Sequence, residues 1–106
     1  MDVRTAVARV GEWPHWNIAS VRLDGVEQVG VQEVDFSKGA VTRGKRFAEA
    51  EEPGPGQVAI GKNRYVFQDG DFVLETVVGK VEVEWRDKAR AKRWLQRHGI
   101  NAEPTA

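Results

Sequence analysis

Four arginines, Arg86, Arg90, Arg93 and Arg97, recur near the C-terminal end of the chain at spacings of four, three and four residues. On a helix turning about 100° per residue they fall within about 60° of one another. Guanidinium groups in such a row suit phosphates or carboxylates, which they grip through a planar fork of N–H donors. The opposite side of the segment carries Ala91, Trp94, Leu95 and His98, so the row is expected to face solvent. Three uses compete. The row is a solvated helix face, enriched in arginine by codon usage, since Arg outnumbers Lys by ten to six. Or it contacts nucleic acid or another polyanion. Or it meets an acidic protein surface, for which the chain's own Glu75, Glu82 and Glu84 offer one candidate through self-association. No partner helix precedes the segment at a short turn, which excludes a helix-turn-helix reader. Any nucleic-acid contact is then backbone-directed and weakly sequence-specific.

A second candidate is Trp13-Pro14-His15-Trp16. Two indoles beside an imidazole form a possible stacking platform for a base, a sugar or a peptide proline. The competing reading is a hinge whose tryptophans close the core, because tryptophan is mostly buried in folded proteins.

Catalytic chemistry finds little purchase. The chain has no cysteine and only two histidines, which excludes a disulfide framework, a thiolate zinc site, a cysteine nucleophile and a three-histidine metal site. Asp69-Gly70-Asp71 offers two carboxylates, but a hairpin turn accounts for the first two residues. Gly-Lys pairs occur at 44–45, 61–62 and 79–80, never within the longer glycine-rich motif a phosphate loop requires. Neither Ser20 nor Ser37 sits in a nucleophile-elbow context. The expectation is a non-catalytic binding module with no cofactor and no metal. The alternative is a protein–protein module: a subunit of a symmetric assembly, such as a viral or other structural complex, or a small inhibitor of a larger machine.

Charge is balanced overall but not along the chain. Residues 86–106 hold six basic and two acidic groups, whereas residues 1–85 hold ten basic and fourteen acidic ones. The stretch 48–56, AEAEEPGPG, is acidic, rich in proline and glycine, and expected to be an exposed mobile loop. Its charge opposes the arginine row, so head-to-tail contacts between copies are electrostatically possible.

The elements that must position these groups read as follows. At 106 residues the chain is one domain, 1–106. Val3, Ala6, Val7 and Val10 follow a helical period, predicting a short N-terminal helix after Asp2 and before Gly11; a strand is the rival reading. A strand over 16–23 meets a return strand over 26–36 across Asp24-Gly25, a favoured type I′ pair. Apolar residues in the return strand change parity between Val31 and Val34, predicting a bulge or bend near Gln32-Glu33. A three-residue loop around Gly39 leads to a strand over 40–47. A short strand at Val58 and Ile60 precedes a three-stranded meander, 64–68, 72–78 and the strand from Val81. Its turns are Asp69-Gly70 and Gly79-Lys80, the second pairing Val78 with Val81 and Leu74 with Trp85. That register gathers Tyr65, Phe67, Phe72, Leu74, Val78, Val83 and Trp85 on one face, under a helix over 87–98 that Asp87 caps and Gly99 ends.

The predicted fold is a β-rich α+β domain. It has about six to seven short antiparallel strands in a strongly curved sheet or small barrel, with a helix at each end. No apolar run approaches the ~20 residues of a membrane span, and the first ten residues are no signal-peptide core. A soluble cytoplasmic protein without a membrane partner is the expectation.

Overall fold

The computed structural model describes residues 6–100. It is β-rich, with three antiparallel sheets and one α-helix among those residues. The first sheet has the order β1-β4-β5-β9, from β1 (Val7–Arg9), β4 (Val31–Asp35), β5 (Ala40–Gly44) and β9 (Leu74–Val78). The second has the order β10-β2-β3, from β10 (Val81–Trp85), β2 (Ile18–Leu23) and β3 (Val26–Glu27). The third has the order β6-β7-β8, from β6 (Gln57–Ile60), β7 (Tyr65–Gln68) and β8 (Asp71–Phe72). A 3-10 turn, His15–Asn17, precedes β2, and α1 (Lys88–Arg97) follows β10. Ten strands thus replace the expected six or seven. The sheets remain separate, so the expected barrel does not close.

Alternation builds the core. Across the first sheet Ala8 lies opposite Val34, Val34 opposite Val41 and Val41 opposite Val77, one apolar row crossing four strands. Across the second, Val83 faces Val21 and Val81 faces Leu23, while Glu82 with Arg22 and Glu84 with Ser20 take the other side. The two inward rows meet Ala91, Trp94 and Leu95 of α1 in one cluster. Phe36 joins them, stacked on Trp85 and edge-on to Trp94, each at 5.7 Å between ring centres.

Several turns follow their residue chemistry. Asp24-Gly25 and Asp69-Gly70 both have positive φ at both positions, as type I′ requires, and they pair Leu23 with Val26 and Gln68 with Asp71. The register of β4 against β5 shifts between Val31 and Glu33, where the apolar parity changes. Helix α1 starts with the Asp87 carboxylate accepting from the Arg90 N–H. It ends in a Schellman motif, with Gly99 N–H donating to Gln96 O and Ile100 N–H to Leu95 O.

Other expectations are corrected. The described part of the predicted N-terminal helix is strand β1; residues 2–5 lie outside the described residues. Strand wins because Ala6 and Ala8, two apart, are both fully buried beside β4. The return strand is split, β3 staying with β2 while β4 joins the other sheet. The loop after β4 has four residues, Asp35 pairing with Ala40. Its Asp35 carboxylate accepts from Ser37 and Lys38 N–H groups.

The largest correction concerns β9 and β10, which do not form a hairpin. The chain crosses between sheets at Gly79-Lys80, with Gly79 N–H donating to Gly39 O and Asp24 N–H to Lys80 O. Strand β9 pairs with β5 and β10 with β2, so Val78 does not meet Val81, nor Leu74 Trp85. Tyr65 and Leu74 do not pair either, because Lys45 extends β5 between their strands: its N–H donates to Val73 O and its carbonyl accepts from Val66 N–H. The predicted aromatic face therefore splits. Val83 and Trp85 are buried, whereas Phe72, Leu74 and Val78 are exposed.

The third sheet adds no residue to the main core cluster. Its inner side buries Val66, and Phe47 is buried nearby through the Phe47 N–H to Arg64 O bond. The molecule is correspondingly elongated, 46 × 32 × 22 Å with a radius of gyration of 15.4 Å, against about 13 Å for a compact domain near 100 residues. No helix among the described residues is long and apolar enough to cross a membrane.

Candidate functional site: an arginine and tryptophan surface

The two stretches singled out by chemistry, 70 residues apart, meet in space. Asn17 makes the joint. It is buried, its amide Nδ2 donates to Asp87 O at 3.0 Å and its Oδ1 accepts from Asp87 N–H at 2.9 Å. The next backbone bond, Arg86 N–H to Asn17 O at 2.8 Å, extends the same connection. One asparagine thus satisfies both backbone groups of the residue that caps α1, and it fixes the 3-10 turn against the helix N-terminus.

On this frame Arg90 lies flat over Trp13, its Cζ 4.4 Å from the ring centre. Trp13 in turn meets Trp16 edge-on at 5.1 Å. Arg86 Nε donates to the Trp16 carbonyl at 3.4 Å. Trp16 is 56% exposed, Trp13 is half-buried and Pro14, joined to Trp13 by a cis peptide bond, is buried. The platform is therefore mixed: one indole is open, and the other is covered by an arginine.

The remaining sequence candidates are placed less tightly. Arg93 and Arg97 are exposed on α1, one and two turns beyond the helix start. Arg86 stands before the helix, so helical angle does not set its direction; the end of β10 and the Asn17 carbonyl do. His15 is half-buried, and its Nε2 is buried without a hydrogen-bond partner among the described residues, so that nitrogen is not offered to a ligand. Arg90 turns to an aromatic ring and Arg86 to a carbonyl, which leaves both guanidinium charges uncancelled by those contacts.

The expected acidic face does not assemble. Glu75 pairs with Arg43 at 2.9 Å in the first sheet, while Glu82 and Glu84 lie in the second. The acidic loop is exposed as expected but is tethered. The Arg64 guanidinium donates to Ala48 O, Glu49 O and Glu51 O at 2.7, 3.1 and 2.8 Å.

A separate groove of about 360 Å³ is lined by Gly30, Gln32, Gly44, Tyr65, Phe72 and Leu74, with Asp71 at its side. The Tyr65 ring lies against the two glycines, where a Cβ would come within 3 Å of it. Sequence reading missed this groove because it depends on Lys45 prising β7 from β9. Among the described residues no three His, Asp or Glu side chains gather to hold a metal ion. Comparison with protein families, with curated proteins and with solved structures finds no match to this chain.

Proposed function

We propose that the chain is a non-catalytic binding module that contacts a polyanion, nucleic acid in single-stranded form, through Arg86, Arg90, Arg93 and Arg97 beside the indoles of Trp13 and Trp16. The observation that carries this is the Arg90–Trp13 stack joined to an exposed Trp16. Stacking occupies the face of a guanidinium and leaves its in-plane N–H donors directed outward, where phosphate oxygens accept them. An exposed indole next to such donors supplies the sequence-tolerant base stacking typical of single-strand binders. From Arg90 to Arg97 the helix rises about 10 Å, room for more than one phosphate of an extended strand.

The test is titration of the protein with mixed-sequence DNA and RNA oligonucleotides at rising salt, followed by tryptophan fluorescence. Binding that weakens steeply with salt and is lost in Arg90→Glu/Arg93→Glu is the expected result. No salt-sensitive binding to single strands, or binding that survives both charge reversals, would sink the reading.

A further inference from the structure

We infer that the third sheet is a self-association surface, through which two copies pair antiparallel along β6 about a two-fold axis. The polyanion proposal concerns a different surface, so the two stand or fall separately.

Strand β6 is the end strand of its sheet and is hydrogen-bonded to β7 on one side only. Its sequence, Gln57-Val58-Ala59-Ile60, carries no charge and no proline. Charge, proline and burial are the devices by which exposed edges avoid pairing with another chain. Here Pro53 and Pro55 stand before the strand rather than in it. The outward face is apolar as well. Val58 lies opposite Phe67, Phe67 opposite Phe72 and Ile60 opposite Tyr65, which places five large side chains on one side. Val58 is 51% exposed and Phe72 47%. Single exposed apolar residues are ordinary, whereas a contiguous patch marks an interaction site.

Charge selects the occupant and its direction. The chain enters β6 from the acidic Glu49, Glu51 and Glu52 and leaves it into the turn bearing Lys62. Both Glu52 and Lys62 are exposed. Antiparallel pairing of Val58 with Ala59 of a second copy brings the Lys62 end of each edge toward the Glu51-Glu52 end of the other. Parallel pairing would set like charges together. A two-fold axis repeats this favourable arrangement twice, as a self-complementary interface requires. The composite is a six-stranded sheet whose apolar faces run together across the axis.

Sedimentation equilibrium and amide hydrogen exchange over a range of protein concentrations, without nucleic acid, test this. The expected result is a monomer–dimer equilibrium with β6 amides that exchange more slowly as the dimer fills. Val58→Lys should return the protein to monomer with its far-ultraviolet circular dichroism unchanged, because the side chain points to solvent. Lys62→Glu should also weaken the dimer, and Lys62→Glu/Glu52→Lys should restore it. A protein that stays monomeric at every concentration overturns the proposal, as does a dimer indifferent to Val58→Lys. Assembly beyond a dimer, dissolved by Arg90→Glu/Arg93→Glu, overturns it in favour of head-to-tail contact between the acidic loop and the arginine row.

Discussion

The guanidinium of Arg90 rests 4.4 Å from the centre of the Trp13 ring, although the two residues belong to segments joined only through the Asn17 clamp. The contact orders a long side chain at the mouth of the candidate site, and it lends that site its cationic and aromatic character together. Arg90→Ala removes the stack, and the expected loss is about 0.5–1 kcal/mol of stability, the range of a solvent-accessible cation–π pair. Urea denaturation measures it, with a change in Trp13 emission as the local signature. Arg90→Lys keeps the charge but not the planar group, and it should recover only part of the loss.

Phosphate contact predicts a graded salt response. In the proposed complex with a single strand, each phosphate-bound arginine contributes about 0.7 to the slope of log affinity against log salt. Arg93→Gln and Arg97→Gln should each lower the slope by about that amount while weakening all sequences alike. Trp16→Ala should reduce affinity with the slope preserved, since stacking releases no counterions. Titrations at four or more salt concentrations separate the two effects. A slope unchanged by either arginine substitution removes that residue from the contact.

Asn17 is expected to be the most sensitive polar residue in the fold. Asn17→Ala deletes two hydrogen bonds to Asp87 and leaves a cavity at a buried position. Each bond is worth about 0.5–1.5 kcal/mol net, so a loss of about 1–3 kcal/mol is expected. Asn17→Asp retains the acceptor for Asp87 N–H but replaces the donor facing Asp87 O with a second acceptor, so it should not rescue. Thermal and urea unfolding of both variants check this. Nucleic-acid affinity of the folded protein should also fall, because Trp16 and Arg86 lose their common anchor.

The local grammar of the chain was legible where short-range chemistry decides. Asp24-Gly25 and Asp69-Gly70 require left-handed backbone at two successive positions, and they take it. Asp87 and Gly99 bracket the helix because a cap and a Schellman turn depend on adjacent residues alone. The shift of register beside Gln32 follows from parity within one strand. What was not legible depends on long-range competition. Gly79-Lys80 looks like a hairpin turn, yet β5 and β2 offer better partners to the flanking strands than those strands offer each other. Lys45 inserts between β7 and β9 through backbone atoms, which leave no trace in side-chain pattern. The arginine row and the tryptophans were each visible in sequence. Their meeting was not, since it rests on one asparagine bonded to a backbone 70 residues away.

The tether on the acidic loop makes a separate prediction. Three carbonyls of the 48–51 stretch accept from one guanidinium, and Arg64 holds φ at 57° to present it. Arg64→Ala should release the loop with only modest loss of global stability, about 1–2 kcal/mol, because the bonds are solvent-accessible. A glutamate-specific protease reads the difference directly. Cleavage after Glu51 or Glu52 should be faster in Arg64→Ala under native conditions. Equal rates would mean that the loop is held by its prolines and by the Glu51 carboxylate, which accepts from Ala48 N–H at 3.0 Å.

The crossing between sheets rests on Gly79 and Asp24. Lys80 N–H donates to Asp24 Oδ1 at 2.8 Å, and a Cβ built on Gly79 would lie 2.6 Å from Asp24 Oδ2. Gly79 is thus required for close approach to a carboxylate and not for a positive φ. In Gly79→Ala the carboxylate must swing away and surrender the Lys80 bond, a loss of about 1–2 kcal/mol. Asp24 itself has φ of 52°, which glycine adopts without strain, so Asp24→Gly removes the obstacle and the bond while leaving the turn intact. The two substitutions should therefore be less than additive: once Asp24 is gone, Gly79→Ala should cost little. A double-mutant cycle by urea denaturation measures the coupling. Strict additivity would show that the methyl group is resisted by the backbone at Gly39, and that Asp24 plays no part in holding the two sheets at this crossing.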